Sequence, residues 1–154
     1  MKRIATFVLV VCVFGWSQLH AQSDYKTAAG LGIDFGSGQT FVGPSAKFFL
    51  APDTAIEADV LFASGSTLIQ AFYEYHGAIE GTDGLKWYAG VGPGVTLYDG
   101  GSNFLVRPMV GMDLKFNTVP LALTFDWRPA LGFNGDGSDF EAARFGLGFR
   151  YVLD

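Results

Sequence analysis

The stretch Leu85-Lys86-Trp87-Tyr88-Ala89-Gly90-Val91-Gly92-Pro93-Gly94-Val95-Thr96-Leu97-Tyr98 decides the fold. Side chains of an extended chain alternate between two faces, so Leu85, Trp87, Ala89, Val91, Pro93, Val95 and Leu97 share one face. Lys86, Tyr88, Gly90, Gly92, Gly94, Thr96 and Tyr98 share the other. The next segment repeats the pattern, with Phe104, Val106, Pro108, Val110, Met112, Leu114 and Phe116 set against Leu105, Arg107, Met109, Gly111, Asp113 and Lys115.

Outward from this pair, Gly, Asp, Asn, Ser and Pro clusters divide the chain into eight such segments, the signature of antiparallel strands and their turns. They run from Lys26 to Phe35, Thr40 to Phe49, Thr54 to Ala63, Thr67 to Ala78, Leu85 to Tyr98, Asn103 to Phe116, Leu121 to Arg128 and Phe140 to Leu153. The expected fold is all-β, an eight-stranded antiparallel up-and-down barrel. Turns are expected at Leu50 to Thr54, Ile79 to Gly84 and Asn117 to Pro120, and loops near Ser37, Ser64, Gly100 and Gly135.

On this assignment one face carries Asp34, Lys47, Glu57, Asp59, Glu74, Lys86, Arg107, Asp113, Lys115, Asp126, Arg128, Arg144 and Arg150, and the other carries no charge within the strands. Alternation alone fits either a soluble barrel or one facing lipid. Two features favour lipid. The charged face is rich in glycine, which weakens an exposed strand but suits a crowded interior. The apolar face bears Phe35, Tyr75, Trp87, Trp127 and Tyr151 towards segment ends, where aromatic rings meet membrane interfaces. The expectation is a transmembrane barrel whose six acidic and seven basic inward side chains form an ion-pair network and close the interior. A soluble periplasmic barrel carrying a small ligand is the contrary reading.

Met1-Lys2-Arg3, the apolar run from Ile4 to Trp16, and Ser17-Gln18-Leu19-His20-Ala21 form a signal peptide pattern with cleavage expected after Ala21. The run is shorter than the roughly 20 residues a membrane helix needs. Residues 22–154 then form the barrel domain. Cys12 lies in the leader, which leaves neither a disulfide nor a cysteine metal site. Loss of Lys2 and Arg3 moves the formal charge from -5 to -7. An acidic chain is a poor nucleic-acid ligand, because such affinity rests on basic groups neutralising phosphates.

The segments Leu85 to Gly92, Leu114 to Leu123 and Asp126 to Ala130, with the Tyr25-Lys26-Thr27-Ala28 opening, resemble the small outer-membrane β-barrels of Bacteroidota, of eight-stranded outer-membrane-protein-X-like architecture. In the last segment Arg144, Gly146, Phe149 and Tyr151 match the insertion signal of such barrels, although Val152, Leu153 and Asp154 follow the aromatic residue on which many members end. The resemblance implies outer-membrane location, contact with membrane lipid and lipopolysaccharide, and recognition by the barrel assembly machinery. It implies no activity.

No catalytic, cofactor or metal residue is expected. Gly90-Val91-Gly92-Pro93-Gly94 sits in a strand pattern with no helix after it, unlike a phosphate loop. Asn134 to Asp139 spaces oxygen ligands as a calcium loop does but lacks the distal Glu. His76 with Glu74 on the polar face is the pair a lipid hydrolase would use, without a serine fixed beside it. Asp99-Gly100-Gly101-Ser102 reads as a two-residue hairpin centred on the glycines, which sets Pro93 against Pro108 and Lys86 against Lys115. Facing prolines break a ladder, so this hairpin is expected to protrude with free edges as a site for a surface partner.

Overall fold

The computed structural model describes residues 25–154; the expected leader and Cys12 lie outside them. Ten strands follow in order: β1 (Thr27–Gly36), β2 (Phe41–Ala51), β3 (Thr54–Ala63), β4 (Ser66–Ala78), β5 (Leu85–Tyr98), β6 (Gly101–Lys115), β7 (Leu121–Trp127), β8 (Ala130–Asn134), β9 (Gly137–Glu141) and β10 (Arg144–Val152). Neighbours pair antiparallel from β1 to β7, β7 pairs β10, and β10 closes on β1. The result is a closed eight-stranded barrel in which β7 with β8, and β9 with β10, are interrupted single staves.

Pairing followed from Gly30 climbs through Ser45, Asp59, Gln70, Gly94 and Leu105 to Gly132. That climb is the stagger a closed barrel needs, and it tilts the strands about 40° from the axis. The start of β1 and the end of β10 lie with the turns at 52–53, 79–84 and 116–120, where the Asp154 carboxylate accepts from the Lys26 and Thr27 amides at 3.2 and 2.7 Å. The opposite end carries the loops at 37–40, 64–65, 99–100 and 135–136.

Burial alternates along the staves, with the polar row inside, except in β9, which is exposed throughout. In β4, Leu68, Gln70, Phe72, Glu74 and His76 are buried while Ile69, Tyr73 and Tyr75 are exposed. Large apolar side chains ring the outside: Phe62, Tyr73 and Phe125 are 53, 58 and 50% exposed. Inside, apolar contacts are confined to three small groups, Tyr25–Ala28–Ala122–Val152 at the turn end, Phe72–Tyr88–Met109 between, and Phe41–Leu61–Leu68 towards the loops.

The β5–β6 hairpin differs from the expected one by a two-residue shift. Tyr98 pairs Gly101 and Leu85 pairs Leu114, so Asp99 and Gly100 form the turn, with Gly100 at φ 90° as a type II turn requires at its second central residue. Lys86 now faces Asp113 instead of Lys115, replacing a repulsive pair with an attractive one. Pro93 faces Val106, and the two hairpin edges are occupied: β5 pairs β4 up to Ser66–Tyr98, and β6 pairs β8 from Val106 to Phe104. The hairpin therefore does not stand free of its neighbours, and only Gly101 to Asn103 of β6 extend past the β8 pairing. Among the described residues, the strand paired on one side alone is β9.

Facing prolines do break the ladder, at another seam. The β6–β7 register stops at Val110–Trp127 and resumes unchanged at Val106–Leu131, which places Pro108 opposite Pro129. Neither has an N–H to give, so pairing lapses there. Beyond the lapse, the segment expected to be the longest loop is the β8–β9 hairpin, with Ala130–Glu141 and Asn134–Gly137 as its end pairs.

Candidate functional site

The barrel interior gathers the charges. Asp34, Lys47, Glu57, Asp59, Glu74, Lys86, Arg107, Asp113, Asp126, Arg128, Arg144 and Arg150 are all buried, six acidic and six basic. Lys115 is the exception to the expected set: it is half-buried at the turn-end rim, where its Nζ donates to the Phe116 carbonyl at 2.5 Å.

Towards the loops, Asp34 bridges two guanidiniums, Arg107 at 2.5 Å and Arg144. Arg107 also donates to Gln70 Oε1 and the Arg128 carbonyl, each at 2.7 Å. That carbonyl sits at the ladder lapse, so Arg107 supplies a donor that the strand pairing there does not. Arg144 donates to the Ser37 and Gln39 carbonyls and pins the β1–β2 loop.

In the middle, Arg128 engages Asp126, Glu57 at 3.1 Å and Asp59 at 3.3 Å, while Tyr88 donates its hydroxyl to Asp126 at 2.5 Å. Arg150 lies 2.8 Å from Glu57 and donates to Ser45 and Thr124 at 2.6 and 3.0 Å. Glycine makes room for these planar groups: a Cβ on Gly146 would overlap the Arg128 guanidinium, and one on Gly148 would overlap Thr124 and Arg150.

Towards the turns, Lys47 Nζ stands 2.9 Å from Glu74, 3.3 Å from Glu57 and 3.4 Å from Asp113. Tyr25 donates to Asp113 at 2.7 Å. Lys86 faces Asp113 in the register, and its Nζ lies 5.7 Å from the Phe49 ring centre. His76 pairs with Glu74 at 2.8 Å and stacks on Tyr88. The pair is wholly buried, and the interior serine, Ser45, is bonded to Arg150.

Tyr25, Ser45, Gln70, Tyr88 and Thr124 complete the network and were not singled out from sequence. For Ser45, Gln70, Tyr88 and Thr124 the signal was parity alone, since each occupies the charged face of its segment; Tyr25 precedes the first segment and gave no such signal.

The five aromatic residues fall at two levels. Tyr75, Trp87 and Tyr151 ring the turn end, and Phe35 and Trp127 the loop end; all are exposed except Phe35, which is half-buried against Phe145. Trp87 covers Gly77, where a Cβ would strike the indole. Trp127 Nε1 donates to the Ala142 carbonyl at 2.6 Å, where the β9–β10 stave is interrupted. Of the insertion pattern, Phe149 and Tyr151 project outward, while Arg144 and Gly146 are buried.

A cup of about 240 Å³ opens at the loop end. Phe41, Leu68 and Leu105 line its lower wall, Arg107 and Arg144 its floor, and the inward side of β8 and β9 its upper wall through Gly132, Asp139 and Glu141. At the tip of that hairpin the Asn134 carboxamide accepts from the Asp136 amide at 2.9 Å, an Asx turn. Among the described residues no group of three or more His, Cys, Asp or Glu side chains is arranged to hold a metal ion.

No protein-family model, curated protein or solved structure matches the chain.

Proposed function

We propose that this protein is an outer-membrane β-barrel without an open pore, exported by a leader cleaved after Ala21, whose role at the cell surface is structural or interactive rather than catalytic. The observation that carries the reading is its inverted radial order. Charged side chains are buried and paired inside, while the outer wall is a continuous apolar surface.

A water-soluble monomer exposing that wall would present far more than the few hundred Å² of contiguous apolar patch that soluble proteins tolerate. Ten-residue staves such as β1 and β3, rising about 3.3 Å per residue at about 40° tilt, stand about 25 Å tall. That is the height of the apolar band of such barrels, and the two levels of aromatic residues fit its two interfaces. Membrane lipid and lipopolysaccharide are the partners this wall suits, and the β10 pattern of Arg144, Gly146, Phe149 and Tyr151 suits the barrel assembly machinery. The resemblance to the small barrels of Bacteroidota agrees with both.

Below the loop-end cup, ion pairs occupy the space that the deep cavity of a periplasmic ligand carrier would need. A lipid hydrolase built on His76 would need substrate to reach a side chain with 0% exposure.

Membrane fractionation of the expressing cell, followed by gel migration of unheated and boiled samples, tests the proposal. Recovery in the outer membrane with a heat-dependent mobility shift is the expected result. A detergent-independent periplasmic protein would overturn it.

A further inference from the structure

We propose that the outer edge of β9 is a docking site for an extended segment of another protein, one that alternates basic and apolar residues and joins the sheet as a further strand. This rests on the surface-interaction reading for the side from which the partner arrives. Its test reads the edge itself, whereas fractionation reads the location.

The edge is a product of the stagger. The pairing that climbs from Gly30 reaches Gly132 and then Asp139 on β9, by which height the next stave, β1, has already ended at Gly36. The β1–β10 ladder runs up to Gly36–Arg144, so β9 rises above it with β8 alone beside it. All five of its residues are exposed. Ser138 faces Phe133, which lies beyond Trp127 on the same stave, and stands roughly 15–20 Å above that indole at about 3.3 Å per residue and about 40° tilt. Lipid bounded by the loop-end aromatic level does not cover it.

The backbone groups on that edge follow from the ladder. Odd-numbered residues of β7 and β8 turn theirs to β6, as the Phe116 amide donating to the Leu121 carbonyl at 2.9 Å shows, and the register is unchanged across the lapse. Ala130, Gly132 and Asn134 therefore turn theirs to Glu141, Asp139 and Gly137. Ser138 and Phe140 are left with N–H and C=O pointing away from β8. Accordingly the Phe140 amide donates to the neighbouring Asp139 carboxylate at 2.9 Å and not to a strand. Such groups are what an extended peptide pairs with when it adds to an exposed sheet edge.

Charge decides the occupant. Asp139 and Glu141 lie on the side of the sheet that lines the cup, while Phe140, 56% exposed, lies on the outer side beside Leu131 and Phe133. Asp99 and Asp136 add to the acidic loop end. Among the described residues the basic groups there, Arg107 and Arg144, are buried and held by Asp34 and by backbone carbonyls. A second copy adding through its own β9 would set Asp139 and Glu141 against the same acidic row, which like charges oppose. A strand with Lys or Arg beside those two residues and apolar side chains beside Phe140 matches both faces.

The test uses protein purified from the expressing cell in zwitterionic detergent, with binding followed by amide chemical shifts and hydrogen exchange. The probe is a blocked heptapeptide with lysine at odd and valine at even positions. Saturable shifts at 137–141 are expected, with exchange of the Ser138 amide slowed in the complex. In an antiparallel addition the valines face Ser138 and Phe140, so the N-methylvaline peptide, which keeps the charge and loses those N–H groups, should not bind; nor should the peptide with glutamate for lysine. Ser138→Pro removes an edge N–H that β8 does not use and should abolish binding with heat-dependent gel mobility as in the parent. Asp139→Asn with Glu141→Gln should weaken binding about two- to thirtyfold, the worth of two cross-strand ion pairs. Absence of saturable shifts at 137–141, equal binding of either control peptide, or binding that leaves Ser138 exchange unchanged would each overturn the proposal.

Discussion

Replacing Arg128 with methionine tests whether the interior is a dry, charge-balanced core. The guanidinium serves Asp126, Glu57 and Asp59 at once, so its loss leaves Asp126 with the Tyr88 hydroxyl as its remaining partner and gives the six-and-six interior one surplus negative charge. Removing one side of a buried pair costs about 3–5 kcal/mol. Three carboxylates share this one cation, so the upper part of that range applies, a large fraction of the ~5–15 kcal/mol that holds a typical domain.

Urea unfolding of the protein in lipid vesicles, followed by the fluorescence of Trp87 and Trp127, should show a midpoint lower by about 1.3–5 M, given slopes of ~1–3 kcal/mol per molar urea. Combining Arg128→Met with Asp126→Asn removes the surplus charge and should return about 1–3 kcal/mol. A single-variant loss below about 1 kcal/mol, or no recovery in the double variant, would mean that water screens these groups, and the closed interior would be refuted.

Gly146→Val should be at least as damaging as Arg128→Met, because its side chain would occupy the volume of the Arg128 guanidinium; the fraction of chain showing the folded gel mobility measures this. Planar bilayers containing the parent protein should show no stepwise conductance, whereas regular channel steps would contradict a mouth and core closed by Arg107, Arg128 and Lys47. Hydrogen exchange should find the Val110 and Leu131 amides, which point across the β6 seam on either side of the Pro108–Pro129 lapse, less protected than Met112 and Phe125 farther along it; uniform protection along that seam would contradict the lapse.

Much of this structure was legible in the sequence because a narrow barrel leaves each residue two directions to face. Parity along 85–98 and 103–116 sorted the interior charges from the lipid-like wall before any pairing was known. Register was harder. Asp99-Gly100-Gly101-Ser102 offers more than one two-residue turn, and the glycines alone favoured the wrong one. The deciding terms are long-range, Lys86 against Asp113 and Pro108 against Pro129, and local turn chemistry does not contain them. The rule that facing prolines open a ladder was sound, but it was applied to the wrong seam. Asn134 to Asp139 read as loop because its polar, glycine-rich composition hid the alternation of Leu131 and Phe133 with Gly132 and Asn134. The cup was not legible at all, since it is assembled from seven strands and a loop that lie far apart in the chain.

The closure of β10 on β1 also constrains how the chain reaches this state. Arg144 meets Asp34 across 110 residues, Tyr25 meets Asp113 across 88, and Arg128 meets Glu57 across 71. No contiguous half of the chain can satisfy its own charges, so an incomplete sheet would hold bare carboxylates and guanidiniums. Such a sheet is tolerable only while water still reaches its inner surface. Assembly must therefore proceed around a hydrated lumen that is expelled at the final seam, which makes the joining of the two chain ends both the last step and the one that commits the protein to its folded state.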